Sequence, residues 1–221
     1  MPWSTAVRTV IITVIWAIWH SVLASLPVKE KTKDLVGPRT SDGLYRFGYC
    51  GVSVLSFAAY LKYLWPMPDR RLYTATRGKR GLMFTGQAVV VAALLHTNWQ
   101  NRIGHVTGIR HAWEFITGQK VSPPPVAQHP LPDGECMEGW RGMFRISSHP
   151  NNYLVLALWW LSPVMTLKWA SVGAVTSVYM VLGSMHEDHR LKTAYGKAYE
   201  CYRERVPHLF MLPVDHWKRQ R

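Results

Sequence analysis

Cysteine is scarce in this 221-residue chain: Cys50, Cys136 and Cys201 form an odd, widely scattered set. Such a set supports neither a disulfide framework nor a cysteine-rich zinc site. Acidic residues are also few, 13 against 26 Lys and Arg, which leaves a formal net charge of +13. No internal repeat is present, so a repeat array is excluded. With 48% hydrophobic residues the chain is too apolar to be disordered. The amino-terminal apolar stretch lacks a small-residue cleavage pattern and contains Trp16, Trp19 and His20, which excludes a cleavable signal peptide. No run of Lys and Arg interleaved with aromatics lies on a nucleic-acid-binding module, so the basic excess does not predict nucleic acid as a partner.

What is present is masked by an average. The mean hydropathy is only −0.06, yet five stretches, 9–26, 44–66, 81–99, 153–166 and 169–185, carry no charge except Arg46 and Lys62 near the ends of the second. Apolar runs of that kind match a bilayer core better than a globular interior. The expected fold is therefore all-α: a multi-pass transmembrane helical bundle of about five spans, in a single integral-membrane domain over 1–221. Trp3, Trp65, Trp99 and Trp169 stand at stretch ends, where indole rings prefer the headgroup level. The last two stretches read as a helical hairpin turning at Ser162-Pro163, with Lys168 in the same short connection.

Five crossings sort the polar segments onto two sides. The loops 27–42 and 100–148 and the tail 187–221 share one side, and with Arg46 at the adjoining end of the second stretch 18 of the 26 basic residues fall there, against 8 on the other. Positive residues mark the cytoplasmic side, and anionic lipid headgroups are natural partners for them. The expected location is a bacterial inner membrane with loop 100–148 and the carboxy terminus in the cytoplasm.

Ionisable groups near membrane depth are costly and usually functional. His20, His96, His149, His186 and His189 all sit near the cytoplasmic ends of the expected spans. His186 and His189 are three apart, so they share a helical face. Beyond them Arg190, Lys192, Lys197, Arg203 and Arg205 interleave with Tyr195, Tyr199 and Tyr202, the pattern of an amphipathic helix that lies on headgroups or closes over an anionic cofactor. Loop 100–148 carries Gly108-Ile109-Arg110-His111-Ala112-Trp113 and a spacer, Pro123-Pro124-Pro125. Its end, from Arg145 through Ser148-His149-Pro150 to Tyr153, offers Ser or Asn caps and a proline at a helix start, whose free N–H groups suit an anionic ligand.

Taken together, these last segments resemble the isoprenylcysteine carboxyl methyltransferase superfamily of membrane enzymes. The carrying residues are Ser148-His149-Pro150, the hairpin at Ser162-Pro163, and then Glu187, Leu191, Gly196, Tyr199, Tyr202, Arg203, Arg205 and Val206-Pro207. The nearest likeness is to the methanethiol S-methyltransferases, through His20-Ser21, Gly108-Ile109-Arg110, Trp113, Arg145 and Ser162-Pro163-Val164-Met165-Thr166. That resemblance implies an S-adenosylmethionine-dependent methyltransferase acting on a small or lipophilic thiol. It assigns Arg145, Ser148, His149, Pro150 and Tyr153 to the cofactor pocket at the helix start. Glu187 would hold the cofactor amine or ribose, Tyr199 would line the pocket, and Arg203 or Arg205 would close on its carboxylate. His20 or His186 would be the acceptor-side base.

A second branch, the NnrU and zeta-carotene isomerase type, resembles the chain at Gly37-Pro38-Arg39, Leu44-Tyr45-Arg46 and His186-x-Asp188-x-Arg190-Leu191. It implies haem b ligated as a metal centre by His20 and His186. A sterol-reductase-like nicotinamide site and a non-catalytic subunit of a larger membrane complex are the remaining alternatives. The chain departs from the superfamily motif at Ser148, where an Arg is expected, and at Asn152, with Tyr153 shifted by one. If the missing Arg pairs with the cofactor carboxylate, its loss removes a bond worth roughly 1.5 to 3 kcal/mol.

Overall fold

A computed structural model describes residues 2–100, 102–122, 129–130, 136–138 and 142–208. The expected spacer Pro123-Pro124-Pro125 lies outside the described residues. The chain is mostly helical, as an all-α reading requires. In order come α1 (Pro2–Ala24), α2 (Leu26–Val36), α3 (Pro38–Leu64), β1 (Arg71–Thr74), α4 (Arg77–Gln100), α5 (Ile103–Val106) and α6 (Ile109–Ile116). There follow β2 (His129–Pro130), β3 (Met137–Glu138), a 3-10 turn (Gly142–Arg145), α7 (Pro150–Trp160), β4 (Val164–Thr166), α8 (Leu167–Tyr195) and α9 (Lys197–Arg205). Two of these helices are long and apolar enough to cross a membrane, over Ser4–Ala24 and Arg77–Trp99. At 1.5 Å per residue the first reaches about 31 Å, the thickness of a hydrocarbon core.

The helices divide into two compact units. The first comprises Met1–Tyr73, Asn101–Pro125 and Met165–Val175, and the second Thr74–Gln100, Val126–Val164 and Thr176–Arg221.

In the first unit α1 turns its polar stripe inward. Thr5, Thr9, Thr13 and Ala17 recur every four residues and are buried, whereas Val7, Ile11, Ile15 and Ile18 are exposed. The stripe meets α3, where Thr13 Oγ1 shares a hydrogen bond with Tyr60 Oη at 2.8 Å and Trp16 Nε1 donates to Ser56 Oγ at 3.3 Å. Small polar residues between helices and large apolar ones outside invert the order of a water-soluble core and suit a lipid surround.

Segment 27–42, expected as a loop, is mostly helix α2. Its composition, with Lys29, Glu30, Lys31, Lys33 and Asp34, hides it from an apolar-period search. Proline at the start and Gly37 at the end bound it all the same. Gly37 takes φ +84°, which side chains resist, and Pro38 then opens α3. A second glycine is forced by proximity: Gly108 has φ +80°, and a Cβ there would lie 2.4 Å from the Phe47 backbone nitrogen. This close approach seats α6 against α3. Lys168, expected in the short connection of the hairpin, is buried, and its ammonium donates to the carbonyls of Leu64 (3.0 Å), Trp65 (3.4 Å) and Met67 (3.4 Å), with Asp69 at 3.8 Å. It caps the carboxy-terminal end of α3, where free carbonyls attract cations.

In the second unit α4 packs on α7 at Gly86, where a Cβ would stand 3.2 Å from Leu161 Cδ1, and Gln87 donates to the Leu158 carbonyl at 3.4 Å. Helix α7 has only 11 residues, about 16 Å long, so stretch 153–166 holds a half-length helix instead of a full span. Pro163 halts the helix while the apolar run continues past it. Helix α8, in contrast, runs ten residues beyond the expected stop at Met185, to Tyr195. The cysteine reading also needs correction, because Cys136 and Cys201 are joined in a disulfide across 65 residues, leaving Cys50 free. Around that bridge Met137, Tyr199, Tyr202 and Val206 form a buried cluster.

Candidate functional site

The start of α7, the polar end of α8 and helix α9 build one charged site inside the second unit. Ser147, Ser148, His149 and Pro150 are buried where the chain turns into α7. His149 occupies the N-cap position itself, with φ −130° and no side-chain cap bond. The expected Ser or Asn cap is therefore absent: Ser147 Oγ instead accepts the His149 N–H at 3.2 Å, and Asn152 donates to Ser184 at 2.9 Å. The segment leaving α9 holds this turn in place. Ser148 N–H donates to the Pro207 carbonyl at 3.0 Å, and Ser147 Oγ donates to the His208 carbonyl at 3.1 Å.

Asp188 is the hub. Its Oδ1 meets His149 Nε2 at 2.6 Å and accepts the Tyr199 hydroxyl, while its Oδ2 meets His208 Nδ1 at 2.7 Å and Arg203 Nε at 3.5 Å. The other ring nitrogen of His149, Nδ1, lies 3.2 Å from Glu187 Oε2. The His149 side chain is 2% exposed, Asp188 22% and Glu187 52%. Arg203 also donates to Ser148 Oγ at 3.3 Å and to the Val206 carbonyl at 2.7 Å. Its guanidinium thus stands beside the position at which the superfamily motif expects an Arg. Tyr202, buried next door, donates to the Phe144 carbonyl at 2.9 Å.

Electrostatics follow from this packing. Burial disfavours the His149 imidazolium, but its hydrogen bonds to Asp188 and Glu187 outweigh burial and raise its pKa to about 9. Burial likewise opposes the Asp188 carboxylate, and the His149 and Tyr199 bonds overcome it and hold its pKa well below the usual carboxylate range. Burial and the neighbouring Asp188 push the Tyr199 hydroxyl far above the usual phenol value. At neutral pH the site therefore holds the His149 imidazolium against the Asp188 carboxylate.

This charge state sets a pH dependence. The His149 contribution to stability is complete below about pH 6.5, its unfolded pKa, and is lost as pH rises through about 9. The Asp188 contribution runs the other way, present above about pH 4 and lost as pH falls. Thermal or denaturant unfolding in detergent is expected to lose stability between pH 7 and 9.5, at a slope approaching about 1.4 kcal/mol per pH unit. His149→Gln should flatten that limb; an unchanged slope in the variant would assign it to another group.

The other expected site residues fall elsewhere. Arg145 is exposed at the end of the 3-10 turn, and Arg205 is exposed on α9. Tyr153 is buried in the first turn of α7. His186, His189 and His96 are exposed, so of the five histidines expected together only His149 enters the site. His186 belongs to the second unit and His20 to the first. His20 makes its bonds within the first unit, to Tyr49 Oη (2.7 Å from Nε2) and to Ser53 Oγ (3.3 Å from Nδ1). Sequence reasoning missed Asp188 as the centre and His208 altogether. The available signal was an acid three to four residues past the buried Ser184 on one helix, together with a second histidine directly after Val206-Pro207. His149, Asp188 and His208 also satisfy the spacing of a three-ligand metal cluster, although a protonated His149 offers no lone pair to a metal. Comparison with protein-family models, curated proteins and solved structures finds no significant match to this chain.

Proposed function

We propose that the chain is an integral-membrane S-adenosylmethionine-dependent methyltransferase whose acceptor is a small or lipophilic thiol. The observation that carries the reading is the convergence of His149, Glu187, Asp188, Tyr199 and Arg203 from three helices onto one site. Those segments are far apart in the chain, and their order is what the methyltransferase resemblance rests on. S-adenosylmethionine carries a carboxylate and an ammonium on its amino-acid end. Arg203 suits the carboxylate, and the half-exposed Glu187, held by the His149 imidazolium, suits the ammonium. Asp188 positions both cations from behind, and the buried Tyr199 fixes Asp188 in turn.

Methyl transfer needs little chemistry from the protein beyond alignment. The sulfonium carbon–sulfur bond breaks as the acceptor sulfur bonds the same carbon, and the sulfonium charge disappears. The acceptor must first lose its proton, because the thiolate is the nucleophile. With its pKa near 9, His149 is an imidazolium and no base. Of the two candidate bases, His186 lies beside Glu187 on α8 and is the better placed in sequence.

Membrane insertion is supported by α1 and α4, long and apolar, which present Val7, Ile11, Ile15, Leu82, Val89 and Leu95 outward. The finer reading is five crossings in a bacterial inner membrane, with loop 100–148 and the tail cytoplasmic, and it rests on the 18-to-8 split of basic residues. The Cys136–Cys201 bridge counts against that orientation, since cytosolic thiols are kept reduced.

Titration calorimetry of the detergent-purified chain tests the reading. Saturable binding of S-adenosylmethionine is expected, weakened at least about tenfold by Arg203→Gln through loss of a charge-assisted bond. Absence of binding to the folded parent overturns the proposal, and a Soret band in the same sample returns the haem reading.

A further inference from the structure

The first unit contains a cavity of about 600 Å³, lined by the end of α1, by α2 and α3, and by the segment around α6. That volume lies in the range of small-molecule sites, and it is independent of the charged site in the second unit. Its wall carries three cations, Lys29, Lys33 and Arg46, and two acids, Glu30 and Asp42. Lys33 and Asp42 face each other at 3.9 Å, both largely exposed at the rim. Setting that pair aside leaves Arg46 and Lys29 against Glu30, a surplus of one positive charge. Arg46, half-buried, is steadied by the Val106 carbonyl at 3.4 Å.

His111 supplies an independent pointer. It lines the same cavity and is 2% exposed, and apart from a weak interaction with the Ser122 backbone neither ring nitrogen makes a hydrogen bond among the described residues. A buried polar group left unsatisfied is expensive, and a ligand in the cavity would meet it. Burial, with His105 and Arg46 beside it, lowers its pKa, so the ring is neutral at pH 7 and has one N–H to donate.

We propose that this cavity binds a phosphodiester, with Arg46 and Lys29 on the phosphate oxygens and His111 donating a further hydrogen bond. A phosphodiester carries one negative charge, which matches the surplus; a phosphate monoester would bring nearly two. Ala24, the last residue of the membrane-length helix α1, lines the cavity. On the membrane reading proposed above, the cavity then lies at headgroup level, where a glycerophospholipid presents such a group. A soluble glycerophosphodiester presents the same chemistry.

Native mass spectrometry of the detergent-purified full chain separates the possibilities. Phosphatidylglycerol is titrated against diacylglycerol, which lacks the phosphate, and against the deacylated glycerophosphoglycerol headgroup. One equivalent of phosphatidylglycerol should bind, and diacylglycerol should not. Arg46→Gln should weaken binding about tenfold and Lys29→Gln by a smaller factor, as expected for charge-assisted bonds. If the free headgroup binds as well as the lipid, the ligand is a soluble phosphodiester; if only the lipid binds, it is a membrane lipid. His111→Phe should weaken binding while raising the unfolding temperature of the ligand-free protein, a pairing that a merely structural histidine would not produce. Equal binding of diacylglycerol, or unchanged phosphatidylglycerol binding by folded Arg46→Gln and Lys29→Gln chains, overturns the proposal.

Discussion

An Asp188→Asn chain is expected to unfold about 3 kcal/mol more easily than its parent, the low end of the cost of breaking a buried ion pair. Asparagine has nearly the same shape, so the loss measures charge and bonding, not volume. The carboxylate accepts from His149, Tyr199 and His208 and faces Arg203. His149 is almost fully buried. Without Asp188 it keeps only Glu187, which is half in water; the imidazolium then loses its main support and the ring deprotonates at lower pH. The alkaline fall in stability described above should therefore shrink in the same variant. Glu187→Gln is the contrast. Its carboxylate is 52% exposed, water already screens it, and the cost should stay below about 1 kcal/mol. Denaturant unfolding of both variants checks the pair of expectations, and equal losses would mean that Asp188 is not the hub.

The second large effect is expected from the bridge between Cys136 and Cys201. It closes a loop of 65 residues, and by chain entropy alone such a closure stabilises by about 4 kcal/mol. Reduction, or a Cys136→Ala and Cys201→Ala double change, should remove about that much as an upper figure. The consequence reaches the charged site, because Cys201 stands two residues from both Tyr199 and Arg203 on α9. Unfolding with and without reductant measures the stability term. Calorimetry under the same conditions measures whether S-adenosylmethionine binding falls with it. Cofactor binding and stability that both ignore reductant would mean that Tyr199, Tyr202 and Val206 hold α9 without help from the bridge.

The sequence made some of this legible, and the physics says why only some. Helices α1, α3 and α4 show through as apolar stretches because their large residues point outward in an uninterrupted run. Helix α2 does not, since its middle, Lys29 to Asp34, is an unbroken polar run and only Pro27 and Gly37 betray its ends. The end of α7 was marked by Pro163, but the apolar run on either side of that proline outweighed it. The length of α8 was concealed for the opposite reason: polarity changes at Met185 while helix propensity does not, and the helix stops only before Gly196. At the site, Ser148-His149-Pro150, Glu187, Tyr199 and Arg203 stand out in the sequence, whereas the residue joining them does not. Asp188 sits in a charged tetrad, and nothing in the order His-Glu-Asp-His tells which member turns inward. His186 and His189 share a helical face as their spacing requires, but that face is exposed. The disulfide was invisible because three cysteines allow three pairings, and only tertiary structure selects one.

Gly108 carries a consequence of an evolutionary kind. Its positive φ and the nearby Phe47 backbone, with which any Cβ would collide, admit one residue type, whatever chemistry the protein performs. Substitutions at His149 or Asp188 would change what a descendant does, yet leave α6 seated on α3. A substitution at Gly108 would unseat it and be removed by selection even in a lineage that had abandoned the original reaction. Gly108 therefore marks ancestry, while His149 and Asp188 mark occupation, and a distant relative with a different trade would still be recognised by the glycine.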